Sequence, residues 1–233
     1  MNEEQVSRGS RLTTPRAAAI AGILFGVLFI ISMSLMRLTI PEDIAGASAN
    51  AWLQTSARTV RLALTFVPFV GIFFLWFMGA VRSHLGESED QFFATVFYGS
   101  GLLFLAMIFI SAALAGGMIS AYLVSPTEMA KGEVITFSRS VMYTIMNVYA
   151  IRMAGVFMMS LGTIWMRTRL MPRLLIWLTY ALAIVLLLAI NLSLWVIMVF
   201  PVWVIAVSVY ILTVSYRDAP AKSGDEITAT ERP

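Results

Sequence analysis

The chain contains no cysteine, one histidine (His84) and two lysines, Lys131 and Lys222. The first absence removes disulfides, thiolate metal sites and cysteine nucleophiles together, and leaves the redox compartment undecided. A single histidine excludes a bis-histidine haem. It sits in a polar turn beside Glu87, Glu89 and Asp90, where a metal would lack a second nitrogen ligand, so it reads as a solvated turn residue. Neither lysine lies in an apolar stretch, which removes a Schiff base inside a span. There is no G-x-S-x-G nucleophile elbow and no G-x-x-x-x-G-K-[ST] phosphate loop. No catalytic, metal-ligating or cofactor-binding residue is assigned, and no cofactor is expected.

Charge is the other scarcity. Charged residues make up 12% of the chain and hydrophobic ones 59%, whereas soluble domains are about 25% charged. From Leu174 to Tyr216 no side chain is charged. A hydrocarbon core of about 30 Å needs roughly 20 helical residues, so this run holds two crossings. The chain reads as an integral membrane protein. Its net charge of +3 belongs to arginines and lysines flanking spans, so the expected partner is the lipid bilayer and not nucleic acid.

The expected fold is all-α: six transmembrane helices with a short amphipathic helical cap on the outer side. Residues 1–16 form a cytoplasmic segment, 17–216 one six-helix domain, and 217–233 a polar cytoplasmic tail expected to be disordered. The spans are Ala17–Met36, Leu62–Val81 with Pro68, a long run Phe92–Val124, a fourth within Ile135–Met166, then about Leu174–Ile190 and Leu194–Tyr216 with Pro201. Met171-Pro172-Arg173 breaks the helix between the fourth and fifth, and Asn191-Leu192-Ser193 turns between the last two. The first apolar stretch lacks a small-residue cleavage site, so it is expected to be retained as a span.

Positive charge sets the orientation. With both termini inside, the inner segments hold Arg8, Arg11, Arg16, Arg82, Arg167, Arg169, Arg173, Arg217, Lys222 and Arg232. The outer segments hold Arg37, Arg58, Arg61, Lys131 and Arg139. That bias predicts both termini in the cytoplasm of a cell with an inner or plasma membrane.

Two outer segments fit capping boxes, Thr39-Ile40-Pro41-Glu42 and Ser125-Pro126-Thr127-Glu128. After the first, Ile44, Ser48, Trp52, Ser56 and Val60 recur at helical spacing and predict an interfacial helix. The run Phe92–Val124 exceeds one crossing by about 20 Å, so Ala112–Val124 is expected to project outward and pack on that cap. Ridges of small residues, Ala18/Gly22/Gly26, Ala112/Gly116/Ser120 and Ala113/Gly117/Ala121, predict close helix packing within the bundle, with a dimer face as the alternative.

One charge lies inside a predicted span. Arg152 stands about 21 Å above Met166, in the outer part of the hydrocarbon, and no predicted span carries an acid at that depth. Expected ligands are carbonyls freed by Pro68 or Pro201, nearby hydroxyls, or the acids Glu42, Asp43, Glu128 and Glu133. Tyr149, Arg152, Val156 and Met159 share one stripe, Tyr143 and Asn147 another. Arg152, Tyr149 and Asn147 are therefore the candidate ligand- or lipid-binding residues, since intramembrane ionisable residues are functional candidates by default. The competing reading is that Arg152 snorkels and ties the fourth helix to the cap. The stripe Met142, Met146 and Met153 reads as helix packing and not as a copper site.

The segments Phe66-Val67-Pro68-Phe69, Trp76-Phe77-Met78-Gly79, Arg82, Leu85-Gly86-Glu87, Phe92-Phe93-Ala94-Thr95 and Gly99-Ser100-Gly101 resemble a group of polytopic bacterial membrane proteins of actinobacterial type. The resemblance covers about Arg61–Tyr216 and implies a multi-span bacterial inner-membrane protein. That group has no assigned activity, so it brings no functional residues.

Three function classes follow. The first is a non-catalytic membrane protein that binds lipid, other membrane proteins or a second copy of itself. The second is a small transporter or channel for an anionic solute, using the Arg152 region. The third, a membrane enzyme, is least favoured, because paired carboxylates, histidines and nucleophile motifs are missing from the spans.

Overall fold

The computed structural model describes residues 3–39, 47–85, 91–124, 133–169, 171–188 and 195–230, with side chains described within 16–39, 56–82, 91–124, 133–169, 171–188 and 195–215. All of its regular structure is helical: α1 (Glu3–Thr39), α2 (Ala47–Leu85), α3 (Gln91–Val124), α4 (Glu133–Thr144), a π turn (Ile145–Ala150), α5 (Ile151–Thr168), α6 (Arg173–Leu188), a 3₁₀ turn (Val196–Met198) and α7 (Val199–Thr230). Among the described residues five helical stretches are long and apolar enough to cross a bilayer: Arg16–Thr39, Ser56–Arg82, Gln91–Val124, Glu133–Thr168 and Val196–Ser215. This is the build of a multi-pass membrane protein.

Helix α6 is apolar but has only 16 residues, about 24 Å at 1.5 Å per residue, which is short of the bilayer core. The turn Asn191-Leu192-Ser193 lies outside the described residues. Helix α5 ends at Arg169, whose φ of 53° reverses the backbone. The Pro172 carbonyl then accepts from the amides of Leu175 (3.0 Å) and Ile176 (3.2 Å) to start α6, the break expected at Met171-Pro172-Arg173.

Three elements differ from the sequence expectation. Helix α2 runs unbroken from Ala47 through Pro68 to Leu85, so the stretch expected as a separate interfacial helix is continuous with the second span. No glycine or proline separates Ala47 from Leu62, and its alanine-rich sequence favours one helix. Helix α7 continues to Thr230, across residues expected as a disordered tail. Of the first capping box, Thr39 closes α1 with its hydroxyl donating to the Leu35 carbonyl. Pro41 and Glu42, and the whole second box, lie outside the described residues.

The long helices alternate in direction. At one end Arg16 Nε of α1 meets Ser215 Oγ of α7 at 3.4 Å. At that same end the Arg82 guanidinium lies over the Tyr98 ring (5.5 Å) and that of Arg167 over Phe93 (4.8 Å). Midway along, five helices contribute phenylalanines to a closed knot of Phe25, Phe74, Phe104, Phe157 and Phe200. Ring centroids are 4.7 Å apart for Phe25–Phe74 and Phe104–Phe200, and 5.4 Å for Phe74–Phe157, mostly tilted or edge-on. Such arrangements suit the aromatic quadrupole. A smaller cluster lies beyond it, where Ala115 and Met118 of α3 pack with Met36, Ala63 and Ile135. The overhang of α3 thus packs on α1, the upper part of α2, and α4.

Of the small-residue ridges, the first is closed inside the bundle. A Cβ at Gly22 would strike Ser208 Oγ and Phe77, and one at Gly26 would strike Ile205 and the Pro201 carbonyl. On α3, a Cβ at Gly116 would meet only Leu64, at 3.6 Å, and one at Gly117 nothing within 4 Å, among the described residues. Of the Ala113/Gly117/Ala121 ridge, Ala121 packs against the smaller cluster while Ala113 and Gly117 are exposed. Hydroxyls and one indole join the last helices: Thr163 to Tyr180 (2.7 Å), and Trp203 Nε1 donating to Thr179 Oγ1 (2.9 Å).

Candidate functional site

The rod 133–168 is not a uniform α-helix. Its π turn, Ile145–Ala150, inserts one residue into the hydrogen-bond register, so residues five apart across it are placed as residues four apart are in an α-helix. Asn147 and Arg152 are such a pair. Π turns of this kind recur at functional sites.

Arg152 is half-buried and its Nη1 donates to the Val148 carbonyl at 2.6 Å. The side chain turns back toward the N-terminal end of its helix, away from the end marked by Arg16 and Ser215. This corrects the expected acceptors: the carbonyl comes from the π turn of its own helix and not from Pro68 or Pro201. Glu133 is exposed, and among the described residues Arg152 forms no ion pair. Glu42, Asp43 and Glu128 lie outside the described residues.

Asn147, the second expected residue, is engaged on both sides. Its Nδ2 donates to the Tyr143 carbonyl at 3.0 Å, and its Oδ1 accepts from Arg37 Nη2 at 2.8 Å. Tyr149, the third, is 53% exposed and is not hydrogen-bonded to Arg152. The structure thus brings Asn147 and Arg152 together on one turn and leaves Tyr149 outward.

Arg37 is the residue that sequence reasoning missed, having been placed among the charges of an outer segment. It lies in the last turn of α1, reaches across to the π turn, and buries its Nε with no hydrogen-bond partner among the described residues. Tyr143 is close enough to act on it electrostatically. A usable signal was present: a span-ending arginine stands opposite Asn147, an uncommonly polar residue for an apolar helix.

The height of this group follows from helix length. Arg37 stands about 31 Å along α1 from Arg16, and Asn147 about 30 Å along its rod from Arg167. That separation matches the thickness of a hydrocarbon core. The arrangement therefore places two guanidiniums, bonded to the consecutive residues Asn147 and Val148, at the opposite boundary from the Arg16 end. Chemically it can neutralise and orient an anion. Among the described residues no three His, Cys, Asp or Glu side chains gather as a metal site would require. Compared with known protein families, characterised proteins and solved structures, the chain matches none of them.

Proposed function

We propose that this protein is a non-catalytic, multi-pass protein of a bacterial inner membrane, of the actinobacterial-type polytopic group, that associates with lipid. It crosses six times, with both termini cytoplasmic and the α3 overhang and α4 forming an outer cap. The observation that carries the reading is the phenylalanine knot. Phe25, Phe74, Phe104, Phe157 and Phe200 are each fully buried and fill the centre of the bundle between the Arg16 end and the two guanidiniums. A transporter or channel for an anion needs a polar route past that level, and the knot's neighbouring ring centroids, 4.7–6.0 Å apart, leave no space for one. The arginines are then reached from the side, at headgroup depth, where lipid is the available partner.

Two measurements test this. Proteoliposomes containing the full chain should show no flux of chloride, phosphate or small carboxylates above empty vesicles. An anion flux abolished by Arg152→Met would replace lipid association with transport. For orientation, a periplasm-active reporter fused after Lys222 should stay silent, and strong activity there would overturn the cytoplasmic assignment of the C-terminus.

A further inference from the structure

The two guanidiniums at the π turn have no counter-charge among the described residues. Arg37 binds the neutral side chain of Asn147, and Arg152 binds the neutral carbonyl of Val148. Among the described residues neither has an acidic partner, and Glu133 is the only acid whose side chain is described at all. Buried or half-buried charges in proteins are ordinarily paired, because desolvation penalises the lone ion. A membrane makes that penalty larger than water does.

We propose that an anionic phosphate group is bound by the Arg37 and Arg152 guanidiniums at the π turn. Guanidinium forks match phosphate oxygens geometrically and hold them by charge-assisted hydrogen bonds. The site stands one hydrocarbon thickness from Arg16, at headgroup level. Tyr143 and Tyr149, 39% and 53% exposed, stand there as interfacial tyrosines do. Asn147 is the positioning residue: it holds the Arg37 fork through Oδ1 while its own amide is tied to the Tyr143 carbonyl. The π turn is what makes this possible, since a regular helix would separate Asn147 from Arg152 by an additional 100°.

This inference rests on the lipid-associating reading above, and the experiment separates the two. The full chain is purified in a neutral maltoside detergent, and its thermal midpoint Tm is followed while phosphatidylglycerol, phosphatidylcholine or inorganic phosphate is added. Phosphatidylglycerol should raise Tm by about 5 °C near saturation, and phosphatidylcholine by less than about 1 °C. Arg152→Gln, and separately Arg37→Gln, should remove at least half of the phosphatidylglycerol shift. Asn147→Asp places a carboxylate beside Arg37 and should also shrink that shift, measured from the variant's own starting Tm. This variant keeps the test decisive if Arg37→Gln does not fold. A shift of equal size with phosphatidylcholine, or one retained in Arg152→Gln and Asn147→Asp alike, overturns the site. Inorganic phosphate reproducing the arginine-dependent shift supports the site with a free anion as its source. Combined with anion flux in proteoliposomes, that result sinks the lipid reading and leaves the site standing.

Discussion

Gly26→Val is expected to lower the thermal midpoint in detergent by about 8 °C, as an overpacked core costs about 1–3 kcal/mol and each kcal/mol moves Tm by about 2–4 °C at this size. A Cβ at residue 26 would stand 2.9 Å from the Pro201 carbonyl oxygen and would overlap Ile205. The side chain of Ile205 can move, but the main chain of α7 cannot without lifting the helix from α1. The Ala18/Gly22/Gly26 ridge sits along that contact, so the displacement would spread to Gly22, where Ser208 and Phe77 already crowd. Gly99→Val is the matching control: among the described residues nothing lies within 4 Å of a Cβ there, and its Tm should stay within about 2 °C of the parent, as substitutions without packing partners change stability little. Equal losses in the two variants would mean that α1 and α7 do not meet as described. Thermal unfolding followed by circular dichroism or by cysteine-free light scattering reads both.

Phe74→Ala should be the other severe change. Its ring is fully buried and lies against Phe25, Phe77, Phe104, Phe157 and Phe200. In soluble cores Phe→Ala costs about 3–5 kcal/mol. Lipid is as apolar as the bundle interior, so part of the transfer term vanishes. What remains is lost dispersion and lost edge-to-face pairing, the latter about 0.5–1.5 kcal/mol for each ring pair. The expected loss is about 3 kcal/mol, again some 6–12 °C in Tm. Phe74→Leu should recover about half of it. Phe69→Ala, at a ring 51% exposed, should change Tm by no more than about 2 °C. A Phe74→Ala protein as stable as the parent would show that the knot is loosely packed, and the closed middle on which the function is argued would go with it.

Much of this architecture was legible in the sequence because hydropathy measures depth. The charge-free run after Leu174, the proline break at Pro172 and the length of α3 each follow from how many apolar residues a bilayer demands. The Gly22/Gly26 ridge was legible too, since small residues at intervals of four have few other uses in a span. Azimuth is what hydropathy does not encode. An all-apolar helix such as α3 presents no polar face, so neither the side that receives Phe157 nor the bare Ala113/Gly117 side could be chosen in advance. The five phenylalanines of the knot come from five helices, and nothing local marks them among the fifteen in the chain.

The candidate site divides the same way. Arg152 stood out because charge inside a span is rare, and Asn147 because it is polar there. Their shared partnership depended on the π turn, which Ile145-Met146-Asn147-Val148-Tyr149-Ala150 does not announce by composition. Arg37 was hidden by a convention: a cation at a span boundary is ordinarily read as a topology marker. Its role depends on how far α1 leans toward the fourth rod, which is set by packing around Met36 and Ala115 and not by any motif.

The extra residue in the π turn also sets two azimuths on one rod. Below it, α5 presents Phe157 to the knot, and above it α4 presents Ile135 to Ala115 and Met118. A uniform helix would turn one storey by about 100° relative to the other, so that only one of these docks could form. The π turn therefore fixes the relative azimuth of the inner and outer storeys, and deleting one residue from it should undock one of them.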